Sequence, residues 1–216
     1  MRRVIRAFAS FLVAICVALP ASAFDVPLSD EAVREAYFLG QRHDASFLSN
    51  YIKFLPPPKT GPYISSITFL TPFVQLAQLS DRHLGSYSAQ QARLDHLGQK
   101  EIVKITVEIY LTNSYGALIA NPAASQPRSS ALIPRPYDFW KDFRVLVYNG
   151  HQILSPSDSG GHPLYRCGRY GPCRPRGAAV DLEFPADAFT SDFVTVQVVP
   201  PEGDPVSVDF DLTRLR

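Results

Sequence analysis

Residues 101–111 alternate without a break: Val103, Ile105, Val107, Ile109 and Leu111 are apolar, and Lys104, Thr106, Glu108 and Tyr110 stand between them. A side-chain period of two puts every apolar group on one face of an extended strand, whereas a helix would scatter them around its axis. The same alternation returns at Val180, Leu182 and Phe184, at Val194, Val196 and Val198, and at Val206, Val208, Phe210 and Leu212. Strands with one face to bury and one to wet belong to antiparallel sheets. Asn149-Gly150 separates residues 143–148 from 151–154 and predicts a two-residue hairpin, because both residues tolerate the positive φ such a turn needs. Residues 63–70 read as another strand, and 200–205 as a longer loop joining the last two. Seven or eight short strands divided by turn residues predict a mainly β protein, an antiparallel β-sandwich of immunoglobulin-like layout.

Helical signals gather before the strands. Ser29 is an N-cap, Asp30 and Glu31 suit the positive end of a helix, and Val33, Ala36, Tyr37 and Gly40 share one face. Phe47, Leu48, Tyr51, Ile52 and Leu55 keep helical spacing from about Asp44, so a second amphipathic helix is predicted to run until Pro56-Pro57-Pro58 ends it. Residues 73–79 suit strand and helix alike. Ser88 and Gln91 form a capping-box pattern ahead of a short helix in 92–97. The expected organisation is a signal segment over 1–23, a helical segment over 24–58 packed on the sandwich, and the β-sandwich over 59–216.

The first of these segments sets the compartment. Arg2, Arg3 and Arg6 precede an apolar run over 7–19, and Ala21-Ser22-Ala23 supplies the small residues a signal peptidase needs. The run is too short for a stable transmembrane helix. Cleavage after Ala23 would export a chain beginning at Phe24, periplasmic or extracellular, with no transmembrane segment; Cys16 then counts as part of the leader and not as a lipid anchor, because Ile15 stands where a lipoprotein signal wants a small residue. Removing three arginines from 21 Lys+Arg leaves 18 against 20 Asp+Glu, a net charge of about −2, which argues against a nucleic-acid partner. Two cysteines remain, Cys167 and Cys173, and in an oxidising compartment they are expected to form a local disulfide.

Asp158-Ser159-Gly160-Gly161-His162-Pro163-Leu164 resembles the nucleophile loop of trypsin-like serine proteases, in which Asp-Ser-Gly-Gly-Pro-Leu surrounds the attacking serine. Here His162 is inserted before Pro163 and Ser157 replaces a glycine. The resemblance implies Ser159 as nucleophile, yet that chemistry needs a histidine base and a buried carboxylate, and His43, His83 and His96 lack the family's Ala-Ala-His-Cys setting. Short polar residues after a strand also make ordinary turns. Asp181, Glu183, Asp209 and Asp211 alternate with core positions and read as a solvated face; gathered together they would serve a glycosidase or a calcium site. The five histidines, His151 and His162 included, show no metal-ligand spacing, and no cofactor pattern is present.

Two segments carry the functional expectation. The connection over 112–141 holds Pro122, Pro127, Pro134 and Pro136, is long for a sandwich loop, and ends in Tyr137, Phe139 and Trp140, aromatics that can form a binding platform or plug the core. The segment 165–176 sets Arg166, Arg169, Arg174 and Arg176 with Tyr165 and Tyr170 around the two cysteines, a stapled loop suited to phosphate, carboxylate or anionic glycan. The sequence thus leads to a non-catalytic binding module of the cell envelope, with an envelope protein or anionic glycan as partner. A secreted hydrolase acting through Ser159 or the sheet carboxylates is the alternative.

Overall fold

A computed structural model describes residues 24, 26–83, 85, 87–121, 131–169 and 171–216. The expectations for residues 1–23, for Pro122 and Pro127, and for Tyr170 lie outside the described residues. The chain is mainly β and its sheets are antiparallel. Strands β1 (Ile52–Phe54), β2 (Tyr63–Leu70), β3 (Ile102–Tyr110), β8 (Asp158–Arg166) and β9 (Arg174–Pro185) form a five-stranded sheet ordered β1-β2-β3-β9-β8. Strands β6 (Arg144–Asn149), β7 (Gln152–Leu154), β10 (Phe193–Val199) and β11 (Val206–Asp211) form a four-stranded sheet ordered β11-β10-β6-β7. A separate pair, β4 (Leu118–Ala120) and β5 (Leu132–Pro134), lies within the long connection.

The alternation in the sequence is the alternation of burial. Val103, Ile105, Val107 and Ile109 of β3 are fully buried, and they share one core with Leu182 and Phe184 of β9 and with Val194, Val196 and Val198 of β10. Phe69 of β2 meets Phe210 of β11 with ring centroids 5.3 Å apart, joining the two sheets. The Asn149-Gly150 hairpin forms between β6 and β7, with Gly150 at φ +61°. Asn149 is itself buried: its side chain accepts from the Ser191 amide at 3.0 Å and donates to Ala188 O and Thr190 Oγ1.

Three helices form a second, smaller core at one side: α1 (Asp30–Gly40), α2 (Pro72–Arg82) and α3 (Ala89–His96). Ser29 caps α1, accepting from the Ala32 amide at 3.1 Å, and Gly40 lets the helix end press against α2, where a Cβ would collide with Ala77 O. Residues 73–79 are helical, because Thr71 caps the α2 terminus and Pro72 follows in the first turn, where its missing N–H costs nothing. Ser88 caps α3 through the Gln91 amide, although the Gln91 side chain turns outward to Asp95 instead of closing the box.

The predicted second helix does not form. Residues 45–50 make a short 3-10 helix and Ile52–Phe54 make edge strand β1, paired with residues 66–68 of β2. The Tyr51 carbonyl accepts from Phe69 N and the Leu55 amide donates to Ser65 O, at 2.8 and 2.9 Å. Pairing with β2 outweighs helical spacing in a stretch so soon stopped by proline. The expectation of a turn at Asp158–Leu164 is likewise overturned: these residues belong to β8 and pair along β9. No helix of the described residues is long and apolar enough to cross a membrane.

Candidate functional site: a stapled hairpin on the outer sheet face

β8 and β9 form a hairpin whose last paired residues are Arg166 and Arg174, and the Cys167–Cys173 disulfide closes it immediately beyond them. Side chains directly opposite in an antiparallel ladder share a face. Asp158 with Glu183, His162 with Ala179 and Leu164 with Gly177 define the outer face, while Val180 and Leu182 point to the core. An unbroken ladder would then set Arg166 against Pro175 and leave Arg174 and Arg176 on the inner side. Instead the register slips: Tyr165 pairs with Pro175, leaving Arg176 unmatched as a bulge. Bulges re-aim side chains in this way. Arg174 is turned to the outer face, directly opposite Arg166, and the Arg176 guanidinium lies over the Tyr110 ring, 4.4 Å from its centroid.

Two like charges face to face on neighbouring strands repel. Farther down the same face the acids have partners: Lys104 meets Glu183 at 2.9 Å, His162 Nδ1 lies 3.2 Å from Asp181, and Thr106 donates to Asp181 at 2.8 Å. Among the described residues neither Arg166 nor Arg174 has an acidic partner, and both are exposed, as are Arg169 and Arg176. Below the arginines, Tyr110 lies beside Tyr63 of β2, centroids 6.2 Å apart, and donates to Glu108 Oε2 at 3.1 Å. Burial pushes the Tyr110 phenol up from its ordinary value, the Glu108 charge adds to this, and Arg176 opposes it. Gly177 makes room here, since a Cβ would run into the Ile109 carbonyl. The sequence marks Tyr63 and Tyr110 as site residues only weakly, through an aromatic at an outward position of a strand.

The aromatic segment lies elsewhere. Tyr137 is exposed at 77%, but Phe139 is buried among Tyr115 and Phe143, and Trp140 is half-buried. The indole sits on β8 at Gly161, where a Cβ would collide with it. Trp140, Phe143, Val145, Ser159, Val180 and Leu182 line a groove of about 630 Å³. The structure therefore sets Arg166 opposite Arg174 and seats Arg176 on Tyr110, and does not bring Tyr137, Phe139 and Trp140 to them.

Ser159 pairs with Leu182 and faces this groove, while His162, three positions along the same strand, faces outward to Asp181. An odd spacing on a strand separates a serine from a histidine base. Asp181 and Glu183 belong to the five-stranded sheet and Asp209 and Asp211 to the four-stranded one, so the four carboxylates do not converge. Among the described residues no group of three or more His, Cys, Asp or Glu could hold a metal ion. Compared with protein-family models and with curated proteins, the chain matches none.

Proposed function

We propose that the chain is an exported, non-catalytic binding module of the cell envelope that presents its stapled hairpin to an anionic partner, an acidic envelope protein or an anionic glycan. The observation that carries this reading is the bulge at Arg176, which turns Arg174 to the side of Arg166 and leaves two exposed, like-charged guanidinium groups opposed with no acidic partner among the described residues. Such an arrangement costs stability in the free protein and is relieved by a bound anion, while the disulfide holds the two strands together and lowers the ordering cost of binding. An immunoglobulin-like layout fits the strand order. With β1 and the β4–β5 pair set aside, β2-β3-β9-β8 and β11-β10-β6-β7 follow the A-B-E-D and G-F-C-C′ sequences of such sandwiches. The cysteines staple the D–E hairpin here instead of joining the sheets.

Retention on dextran sulfate beads, with neutral dextran as the control, tests the binding reading. The wild-type protein should be held and released by salt, and the Arg166→Ser/Arg174→Ser variant should pass through while still unfolding in a cooperative thermal transition at or above the wild-type temperature. Equal retention of both would refute the assignment. Export is tested separately by intact-mass measurement of the exported protein, which should begin at Phe24; a chain retaining residues 1–23 would refute it.

A further inference from the structure

Resting on that anion-binding reading, we infer that the Arg166–Arg174 pair is built for a tetrahedral oxyanion, a phosphate ester in the first instance, in preference to a carboxylate. Side chains directly opposite across an antiparallel ladder start from Cβ atoms about 4.5–5.5 Å apart, and this pair stands one residue from the disulfide on both strands. The two guanidinium forks therefore approach one ligand from two sides. Each fork is satisfied by two acceptor oxygens in its own plane. A carboxylate has its acceptor sites in a single plane and one negative charge, so it meets one fork squarely and neutralises only one of the two arginines. A phosphate monoester has three terminal oxygens in different planes and a charge of about −1.5 to −2 at neutral pH, which serves both forks and neutralises both charges. Arg176 adds a third positive charge on the same face, its guanidinium held on Tyr110. The hairpin sequence from Ser159 to Val180 contains no acidic residue that would compete for the site.

The test compares inorganic phosphate, inorganic sulfate and acetate as probes of the purified protein at constant ionic strength, with affinity read by NMR titration and thermal shift. Phosphate should bind at least about tenfold more tightly than acetate, and its affinity should rise between pH 5 and 8 as the monoanion gives way to the dianion; sulfate, already dianionic, should stay flat over that range. Arg174→Lys keeps the charge and loses the fork, so it should retain acetate binding while phosphate falls to the acetate level. Arg166→Ser and Arg174→Ser should each raise the melting temperature of the ligand-free protein by relieving the repulsion, which shows at once that the variants fold. If acetate and phosphate bind equally, the oxyanion preference is wrong and the anion-binding surface stands. If none of the three binds, the anion-binding reading falls with it. Vesicles containing phosphatidic acid, set against glycerol 3-phosphate in solution, then distinguish a lipid headgroup from a soluble phosphate ester as the source: tighter binding to vesicles points to the membrane, and equal binding to a soluble or glycan-borne ester.

Discussion

Gly160 and Gly161 are neighbours on β8, yet replacing each with alanine should move stability in opposite directions. A Cβ at Gly161 would stand against Trp140 Nε1, far inside van der Waals contact, whereas one at Gly160 meets nothing within 4 Å. Neither glycine has a left-handed φ, so the difference comes from space and not from backbone strain. Gly161→Ala must displace Trp140, which is half-buried on the strand. A fully buried aromatic side chain covers roughly 150–250 Å². Releasing half of it exposes about 100 Å², or about 2.5 kcal/mol at about 25 cal/mol per Å². For a chain of this size that lowers the melting temperature by about 5–10 °C. Gly160→Ala should instead stabilise by about 0.4–1 kcal/mol by restricting the unfolded chain. Trp140 is the only tryptophan, so its emission reports displacement directly: Gly161→Ala should shift it to the red and Gly160→Ala should not. Adding Trp140→Ala to Gly161→Ala should cost little beyond Trp140→Ala alone, because both act through one contact. A Gly161→Ala protein within 0.5 kcal/mol of wild type, with unshifted emission, would refute the account.

Three further outcomes follow from the same structure. Replacing Cys167 and Cys173 by serine should cost about 2 kcal/mol, the chain-entropy value for so short a loop, and leave the circular dichroism of the sheets unchanged; alkylation of both thiols without reductant would instead show that the bridge does not form. Asn149→Ala should cost about 2 kcal/mol in urea unfolding, since it strands the part-buried Ser191 amide and Ala188 carbonyl that the buried side chain now satisfies; a neutral result would mean water replaces the side chain. Burial pushes the phenols of Tyr51 and Tyr115 up, so the folded protein holds those protons more tightly, and the stability present below about pH 10 should be lost as pH rises through the folded values. The Tyr115 hydroxyl has no hydrogen-bond partner among the described residues. Tyr115→Phe should therefore leave the urea midpoint unchanged at pH 7 and shrink the loss between pH 9 and 11.

The strands were legible wherever one face is buried against the other sheet, because an uninterrupted period of two in β3, β10 and β11 has no helical counterpart. Legibility failed where tertiary pairing chose between close alternatives. Residues 51–55 carry helical spacing, but β2 offers an unpaired edge that takes up their backbone groups, and no local signal announces this. Asp158–Leu164 looks like a turn because glycine and serine favour turns; its strand character comes from β9 on one side and from the indole seated at Gly161 on the other. For the arginine hairpin, the cysteines and the cluster of Arg166, Arg169, Arg174 and Arg176 could be read directly. Their sidedness could not, since plain alternation puts Arg174 and Arg176 in phase with Leu182 and only the slip at Arg176 reverses it.

The position of the staple also divides the hairpin into a part that must keep its length and a part that need not. Everything inside the Cys167–Cys173 bridge lies beyond the last ladder pair, so a foreign peptide spliced into residues 168–172 would leave both strands and the Arg166–Arg174 pair in place. Lengthening such a loop costs only about 0.6 kcal/mol for each doubling, and exposed tips are where insertions are tolerated. The protein thus offers a display scaffold in which a grafted epitope or affinity tag rides next to a cationic patch, whereas a single residue added between Arg174 and Gly177 would rotate that patch away.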